Sequence, residues 1–309
     1  MTADTSAGAV HTHAAHGWTS KKIAVVGSKG FIGSRLVNSL RDTGHEVVEL
    51  DLPRVDIANM TPDDPIINEA LAGTDVLFHL AVMNLEHCKR DYRGAIMTNI
   101  LGAASVMELA RRVGVKRVIY SSASSVYGDP IITPVVEHTL FRPLTLYGAT
   151  KLSAEYVMGT YADNFGLTLG VFRFTNVYGP GQVNGLIPNV VRALLGGMRI
   201  SVTGSGEQMR DFVYVDDVVN VLMRSIEHPL YSFVTNLGSG QQTSVNEVIK
   251  WLSEYTGKEA QVEHIPLTKD RLAFAADLRL FKEIYGDCKF TPVSEGLQKT
   301  VEWWKSRGC

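Results

Sequence analysis

Residues 22–33 read KIAVVGSKGFIG, and the fold class is predicted from this segment. It joins an apolar, β-branched run to glycines with the spacing G-x-x-G-x-x-G. Residues 31–43 follow with apolar side chains at helical spacing, and Gly44 then supplies a helix stop. A strand, a glycine turn and an amphipathic helix in this order predict the first unit of a dinucleotide-binding fold.

Each glycine of this turn has its own predicted task. Gly27 permits the sharp turn from strand to helix, Gly30 lets a pyrophosphate approach the backbone, and Gly33 lets helix and strand pack closely. The backbone amides at the start of the helix, at Phe31 and Ile32, then face the phosphates. We therefore expect these residues to bind a dinucleotide.

Acidic residues after the second predicted strand indicate which dinucleotide is bound. Asp51 lies eighteen residues after Gly33, where a carboxylate accepts hydrogen bonds from the adenosine ribose hydroxyls. Because it would repel a 2′-phosphate, the sequence favours NAD over NADP. Arg54 nearby weakens that inference, and a role for Asp51 as a simple turn residue stays open. Asp56 and Ile57 are expected to line the adenine.

Short β-branched runs alternate with longer amphipathic stretches from residue 22 to residue 174. This alternation predicts an α/β fold, a Rossmann-like doubly wound parallel sheet covered on both faces. Asp216 and Ser244 are expected to cap the helices that begin near them. The predicted strands are Ile23–Val26, Glu46–Leu50, Val76–Leu80, Arg117–Tyr120, Thr168–Phe174, Phe212–Val215 and Ser232–Leu237.

Beyond residue 175 the chain turns to loops rich in glycine and proline, where such folds build substrate sites. We expect residues 1–20 to form a flexible leader. Residues 21–175 are expected to form the NAD-binding Rossmann domain, with 207–238 returning to it. Residues 176–206 and 239–309 are expected to form a smaller, discontinuous C-terminal substrate-binding lobe.

Composition excludes several classes of function. The 30 basic residues are balanced by 32 acidic ones without a basic block, which argues against a nucleic-acid partner. No apolar run is long enough for a signal peptide or a membrane span, so we expect a cytoplasmic protein. The cysteines are widely spaced and predict free thiols, and the leader histidines lack acidic partners, so no metal site is expected.

Tyr147 and Lys151, in the sequence YGATK, form the candidate acid–base pair. Their spacing places the phenol and the ammonium about one helical turn apart on one face. An ammonium beside a cationic nicotinamide would lower the tyrosine pKa, and a shift of about three units corresponds to roughly 4 kcal/mol. The spacing is common by chance, but its place after the glycine turn and a serine-rich strand end favours a catalytic interpretation.

A run of hydroxyl side chains, YSSASSVYG at residues 120–128, follows a predicted strand and is positioned to orient a substrate hydroxyl or ketone. With these motifs the chain resembles an extended short-chain dehydrogenase/reductase of the NAD-dependent epimerase/dehydratase family, which includes UDP-glucose 4-epimerases. The resemblance spans roughly residues 22–305. Its further motifs are FHLA at 78–81, TNILG at 98–102, NVYGPG at 176–181 and RDFVYVDD at 210–217.

The resemblance implies particular ligands and contacts. NAD would be held by the glycine turn and by Tyr147 and Lys151, and a nucleotide sugar, most simply a UDP-sugar, would be the substrate. Arginines would meet its diphosphate because they donate charge-assisted hydrogen bonds. The further cofactor contacts implied are Leu80, Ala81, Val82 and Asn99. The substrate contacts implied are Asn176, Leu186, Arg210 and Arg271.

One departure from the family concerns the catalytic hydroxyl. The family usually has Ser or Thr where this chain has Ala123. Ser122, Ser124 or Ser125 would substitute, with Ser124 favoured, or the reaction would depend more heavily on Tyr147. The family's dehydratases usually carry an acid pair in this segment and its UDP-glucuronate decarboxylases a glutamate, at positions that are serines here. The segment therefore favours epimerisation.

The resemblance thus implies a nucleotide-sugar 4-epimerase that uses bound NAD through a transient 4-keto sugar, with Tyr147 as acid and base. One alternative is an NAD-dependent nucleotide-sugar dehydrogenase, reductase or dehydratase. Another is a non-catalytic NAD-binding regulatory protein, for which Ala123 is the support. The stretches 99–112 and 147–164 correspond to helices that pair in family dimers, so a homodimer is implied.

Overall fold

A parallel sheet of six strands forms the centre of the fold in this computed structural model, which describes residues 19–266 and 273–308. All of the predicted leader except its last two residues lies outside the described residues. The strands are β1 Lys22–Val26, β2 Glu46–Leu50, β3 Val76–His79, β4 Arg117–Ala123, β5 Thr168–Phe174, β6 Asn176–Tyr178, β7 Ile200–Thr203, β8 Met209–Arg210, β9 Phe212–Tyr214, β10 Phe233–Leu237, β11 Thr243–Ser244 and β12 Val262–Ile265.

Helices connect and cover these strands. They are α1 Phe31–Asp42, α2 Pro65–Leu71, α3 Leu85–Arg90, α4 Tyr92–Ile96, α5 Gly102–Val113, α6 Leu146–Phe165, α7 Leu186–Leu195, α8 Val215–Ser225, α9 Val245–Thr256, α10 Arg279–Tyr285 and α11 Val293–Ser306. A π-helical turn, Met97–Leu101, joins α4 to α5, and a 3₁₀ turn, Ser124–Val126, follows β4. Within the described ranges, no helix is both long and apolar enough to cross a membrane.

The central sheet has the strand order β10-β5-β4-β3-β1-β2, and all its neighbouring strands are parallel. The chain therefore winds from β1 to β2 on one side and through β3, β4, β5 and β10 on the other. The predicted doubly wound α/β fold is confirmed. Ligands of such sheets bind where the winding direction reverses, at the carboxyl ends of β1 and β3.

Each face of the sheet is covered by its own apolar core. One core packs α5 and α6 against the sheet and includes Leu77, Met107 and Met158. The other packs α1 and α8 against the opposite face and includes Leu36 and Leu222. Burial of one such side chain contributes about 1.5–3 kcal/mol to stability. Because both faces of the sheet are covered, side chains on both sides of each strand are buried, and the strands are nearly continuous apolar runs.

A third apolar core joins α7, α9 and α11 to short strands of the C-terminal half, and it includes Val191, Leu252 and Leu297. The predicted cap at Ser244 is confirmed, because its hydroxyl accepts from the Glu247 amide in a complete capping box. The predicted cap at Asp216 is wrong. That helix, α8, begins at Val215, so Asp216 lies inside its first turn.

The fourth strand is longer than predicted. The sequence pattern ends it at Tyr120, but β4 continues to Ala123 because residues 121–123 pair in parallel with residues 172–174 of β5. The pairing holds the first part of the serine-rich segment in the sheet. The remaining serines, from Ser124 onward, form the 3₁₀ turn that leads away from it.

Candidate active site

The glycine turn is packed so tightly that side chains are excluded. Gly27 has a φ of +88°, and a Cβ there would lie 2.5 Å from the amide nitrogen of Ala81. A Cβ on Gly33 would overlap the carbonyl oxygen of Gly27. The backbone of β1 is in turn tied to the segment after β3, because the Val26 carbonyl accepts from the amides of Leu80 and Ala81. The predicted cradle is thus formed at the reversal point of the sheet.

The cradle has the features that a dinucleotide requires. Phe31 and Ile32 are half-buried at the first turn of α1, and no side chain caps that helix start, so its amides point outward from the turn. The Ser28 hydroxyl is buried and finds no hydrogen-bond partner in the described part of the chain. The glycine turn leaves no room for side chains, the start of α1 offers backbone amides, and the Ser28 hydroxyl has no partner within the described ranges. These features fit a bound pyrophosphate.

Asp51 follows β2 beside this turn, as predicted for a ribose ligand. One carboxylate oxygen accepts from the Lys29 amide and the other from the Leu52 amide, both at 2.7 Å. Lys29 in turn donates its Nζ to the Leu52 carbonyl. These bonds fix the carboxylate at the rim of the cradle and leave it further lone pairs for ribose hydroxyls.

The residues expected to contact adenine and nicotinamide differ in their surroundings. Asp56 accepts from the Ala58 amide and from Asn59, as a turn residue does. Ile57 is buried in the core that α5 shares with the sheet. Leu80, Ala81 and Val82 follow β3 directly and are half-buried along the reversal point. Their roles as cofactor contacts remain predictions.

Asn99 lies inside the π-helical turn and bridges two parts of the site. Its Oδ1 accepts from the Met83 amide at 2.7 Å, and its Nδ2 donates to the Met83 carbonyl and to the Thr150 hydroxyl. The side chain therefore connects the loop after β3 to α6. Both polar atoms of the Asn99 side chain are hydrogen-bonded within the protein. In this structure Asn99 links two segments of the protein, and its role as a cofactor contact remains a prediction.

Tyr147 and Lys151 lie in the first turns of α6, on the same face. The Thr145 hydroxyl caps this helix by accepting from the Gly148 amide. Gly148 allows close packing, because a Cβ there would lie 2.6 Å from the Ser125 carbonyl oxygen. The helix start is thereby pressed against the serine-rich turn. Tyr147 directly precedes this contact and therefore lies next to the turn that follows β4.

The Lys151 ammonium is buried under the same strand end. Its Nζ donates to the Ser121 carbonyl at 2.5 Å and lies 4.6 Å from the centroid of the Tyr120 ring. His79 pairs with Tyr120 across β3 and β4 on the same face of the sheet, and the two rings stack with centroids 5.3 Å apart. Strands β3 and β4 and helix α6 therefore meet at one buried cluster.

Burial changes the acid–base behaviour of the candidate pair. Desolvation, followed by the Cys88 thiol, raises the pKa of Tyr147 above its ordinary value. Desolvation lowers the pKa of Lys151 to about 7, with Glu155 and Cys88 opposing the change. The lowered tyrosine pKa expected from the lysine is therefore not produced by the protein alone. A buried lysine that is only partly charged near neutrality cannot outweigh the desolvation of the phenol.

The serines of the strand end are used in different ways. The Ser122 hydroxyl donates to the buried carboxylate of Glu155, and the Ser121 hydroxyl donates to the His79 carbonyl. Ser124 is half-buried at the start of the 3₁₀ turn. The Ser125 hydroxyl is buried and has no hydrogen-bond partner among residues 19–266 and 273–308. The Ser122 hydroxyl is therefore occupied by a buried carboxylate, whereas Ser124 and Ser125 lie next to the start of α6.

The predicted substrate residues lie on loops and short elements that follow the sheet. Asn176 begins β6 and donates its Nδ2 to the Asp211 carbonyl. Leu186 is the half-buried first residue of α7, and Arg210 is exposed in β8. Arg271 lies outside the described residues. Within the described ranges, no group of side chains suited to hold a metal is found.

Two carboxylates near the site escaped the sequence prediction. Asp211, next to Arg210, is fully buried and accepts from the amides of Gly240 and Ala276 and from Ser239. Glu155 is buried on α6 and pairs with Arg173. A signal for Glu155 was present, because it continues the i, i+4 series of Tyr147 and Lys151. No spacing rule indicated Asp211.

Comparisons with known proteins agree with this geometry. Residues 23–238 match the model of the "NAD dependent epimerase/dehydratase family". UDP-glucose 4-epimerase of Mycolicibacterium smegmatis is 30% identical, and the match covers 92% of this chain and 98% of that protein. UDP-N-acetyl-alpha-D-glucosaminuronate decarboxylase of Bacillus cytotoxicus is 29% identical with the same coverage.

The fold is also similar to that of a protein of known structure. The structure of MoeE5 in complex with UDP-glucuronic acid and NAD superimposes with a TM-score of 0.85 at 32% identity. The match covers 93% of this chain and 99% of that one. The family match spans the glycine turn, the central sheet and Tyr147 and Lys151. The chain therefore belongs to the NAD-dependent epimerase/dehydratase family of extended short-chain dehydrogenases/reductases.

Proposed function

We propose that the protein is a nucleotide-sugar 4-epimerase that uses tightly bound NAD and acts on a UDP-sugar. The observation that carries this proposal is the position of Tyr147 and Lys151 on one face of α6, which packs against the end of β4, the strand next to β3 at the reversal point. The 3₁₀ turn that follows β4 carries hydroxyls and no acidic side chain at Ser124 and Ser125.

Tyr147 is the acid and base of this reaction. Its phenolate takes the proton of the sugar 4-hydroxyl, and the phenol returns a proton after the 4-keto sugar has presented its opposite face. NAD, when bound, supplies the hydride acceptor and a positive charge close to the phenol. Because burial alone raises the pKa of Tyr147, that charge and the Lys151 ammonium together must stabilise the phenolate.

The remaining residues of the site bind the cofactor and the UDP-sugar and orient the sugar hydroxyl. Lys151 donates to the nicotinamide ribose, and Asp51 accepts from the adenosine ribose, which selects NAD over NADP. Ser124 orients the sugar hydroxyl in place of the family's residue at Ala123, since Ser122 is bound to Glu155. Asn176, Leu186, Arg210 and Arg271 hold the UDP moiety in this proposal.

The absence of an acidic side chain at positions 123–125 supports epimerisation over elimination and decarboxylation. A 4,6-dehydration needs an acid to protonate the departing hydroxyl, and serine is a poor acid. An epimerase needs one proton acceptor at O4 and a pocket in which the keto sugar can turn.

We also propose a homodimer built on α5 and α6. Apolar side chains are exposed on α6, at Tyr156, and on the segment that leads into α5, at Ile96 and Leu101, where a second copy would cover them. Sedimentation at micromolar concentration tests this, and a monomer would contradict it. Leu101→Glu should dissociate the dimer, whereas Leu52→Glu, at an exposed residue beside Asp51, should not.

The reaction is tested by incubating the purified protein, without added NAD, with UDP-glucose, UDP-N-acetylglucosamine, UDP-glucuronate, dTDP-glucose and GDP-mannose. Chromatography and proton NMR of the products should show a 4-epimer pair for at least one UDP-sugar. In a parallel incubation with added NAD, net reduction of that NAD would indicate a dehydrogenase, and loss of water from the sugar in either incubation would indicate a dehydratase. Binding of NAD without any turnover would indicate a regulatory protein.

A further inference from the structure

The face of α6 that carries Tyr147 and Lys151 continues to a third ionisable residue, Glu155. The three residues follow one another at intervals of four, so each lies about one turn from the next. Glu155 is buried, with its side chain only 7% exposed. A carboxylate placed so deeply is costly unless other groups hold it.

Arg173 on β5 holds this carboxylate in a fixed orientation. Its Nε donates to Oε1 at 3.0 Å and to Oε2 at 3.2 Å, and its Nη2 donates to Oε2 at 2.7 Å. The guanidinium is itself fixed, because Nη1 donates to the Tyr127 hydroxyl and to the Glu137 carbonyl. A planar, multiply bonded pair of this kind allows the carboxylate little movement.

The Glu155 carboxylate is also hydrogen-bonded to the end of β4, the strand end that contacts the Lys151 ammonium. Ser122 donates its hydroxyl to Glu155, and the carbonyl of the adjacent residue, Ser121, accepts from the Lys151 ammonium. Glu155 therefore connects α6 and β4 at the point where both supply candidate catalytic groups. Neither the cradle nor the substrate loops make this connection.

We propose that Glu155 is a positioning residue of this site, whose carboxylate, clamped by Arg173, favours the charged form of Lys151 and holds the end of β4 in register with α6. The kinetic part of this inference rests on the proposed function. The part that concerns the charge of Lys151 does not.

The surroundings of Lys151 show why this carboxylate matters. Desolvation pulls the pKa of Lys151 down to about 7, and Glu155 is the largest influence in the opposite direction. Arg173, on β5, is the charged group that faces Glu155 itself. The other titratable groups near Lys151 are neutral near pH 7. They are Tyr147 on α6, Tyr120 on β4, His79 on β3 and Cys88 on α3. Removing the Glu155 charge should therefore make Lys151 lose its proton at a lower pH.

The test is a direct titration of Lys151 in the NAD-loaded protein. Lysines are labelled with ¹³C at Cε, the Lys151 signal is identified by its loss in Lys151→Met, and its shift is followed by NMR from pH 5 to 10. In Glu155→Gln the midpoint should fall by about one pH unit. An unchanged or raised midpoint would overturn the proposal. Failure of the protein to epimerise any sugar would not affect this readout.

Matched variants separate the charge from the loss of an ion pair. Glu108→Gln breaks the ion pairs of Glu108 with Arg111 and Arg112 on α5, and it should leave the Lys151 midpoint in place. Glu155→Asp keeps the negative charge, so the midpoint of Lys151 in this variant should lie closer to the wild-type value than the midpoint in Glu155→Gln. If Glu155→Gln does not fold, the double variant Glu155→Gln/Arg173→Gln replaces the pair with neutral amides, and its midpoint should still lie below that of the wild type.

A turnover measurement extends the test to function. Activity that depends on a charged Lys151 declines as pH rises through the lysine's titration, so Glu155→Gln should move the alkaline limb of kcat down by the same interval. KM for the sugar should change less than kcat. A uniform loss of kcat at every pH, with an unmoved limb, would indicate a purely structural role and contradict the proposal.

Discussion

Gly33 lies directly against the carbonyl oxygen of Gly27, so that a Cβ at position 33 would overlap that oxygen. Because Gly27 carries the turn that must approach the pyrophosphate, any side chain at 33 displaces the cradle. Gly33→Ala should reduce NAD affinity at least tenfold and lower the free energy of unfolding by about 1–3 kcal/mol. Calorimetric titration with NAD, after the bound NAD has been removed, measures the first effect, and urea denaturation measures the second.

A neighbouring residue provides the control for this prediction. Asn38 is exposed on the same helix, beyond the first turn. Asn38→Ala should bind NAD with wild-type affinity. If Gly33→Ala also bound NAD normally, the close packing of this turn would not be the basis of the dinucleotide site.

Tyr147 is expected to be needed for proton transfer and not for cofactor binding. Tyr147→Phe should lower kcat by about a thousandfold, within the range that general acid–base catalysis contributes, because the ring stays and only the hydroxyl is lost. NAD affinity should change less than threefold. The measurements are initial rates with the UDP-sugar that turns over and calorimetry with NAD, and a variant with near-normal kcat would refute the assigned role.

His79 should make the protein sensitive to acid. It is fully buried, and neither ring nitrogen has a hydrogen-bond partner among the residues that the structure describes. Burial, then the charge of Lys151, lowers its pKa from 6.5 to about 3. The neutral ring is thus favoured in the folded state, and the stability present above pH 6.5 is lost as the pH falls towards 3. From pH 7.5 to 5.5 the loss from this group should be about 1.4 kcal/mol.

Denaturation of wild type and His79→Phe at both pH values isolates this contribution. The variant keeps a planar ring against Tyr120 but has no proton to bind, so its loss between the two pH values should be smaller by that amount. His87→Phe, at an exposed residue of α3, should behave as the wild type. Equal losses in all three proteins would contradict the prediction.

Asp211 should be required for stability because both of its oxygens are surrounded by donors. One oxygen accepts from the amide and hydroxyl of Ser239, and the other from the amides of Gly240 and Ala276. In Asp211→Asn, either orientation of the amide points an NH₂ group at N–H donors. We expect a loss of about 3 kcal/mol in the free energy of unfolding. Asp42→Asn, at an exposed helix end, should cost little, and a similar cost in both variants would contradict this account.

Local sequence was sufficient to predict the fold and the cradle. The parallel sheet follows from β-branched runs alternating with amphipathic stretches, and the turn from the glycine spacing, because both depend on neighbours in the chain. Boundaries failed where partners are distant. β4 extends to Ala123 through pairing with β5, and α8 starts before Asp216.

The internal connections of the site could not be predicted in the same way. Asn99 and Asp211 bond to segments far away in the chain, and Ser122 meets Glu155 across the junction of β4 and α6. The electrostatic effect of burial on Tyr147 was also missed. A pKa depends on how much water the fold removes, and sequence spacing carries no measure of that quantity.

In the proposed reaction, the sugar carbon C4 is inverted because NAD takes up and returns one hydride while Tyr147 takes up and returns the proton of the 4-hydroxyl. The most direct measurement uses the UDP-sugar that turns over, labelled with deuterium at C4, with the NAD-loaded protein in ordinary water. The product epimer should keep its deuterium at C4, because the hydride never leaves the site. Loss of deuterium to water, or inversion that proceeds equally well in Tyr147→Phe, would contradict the account.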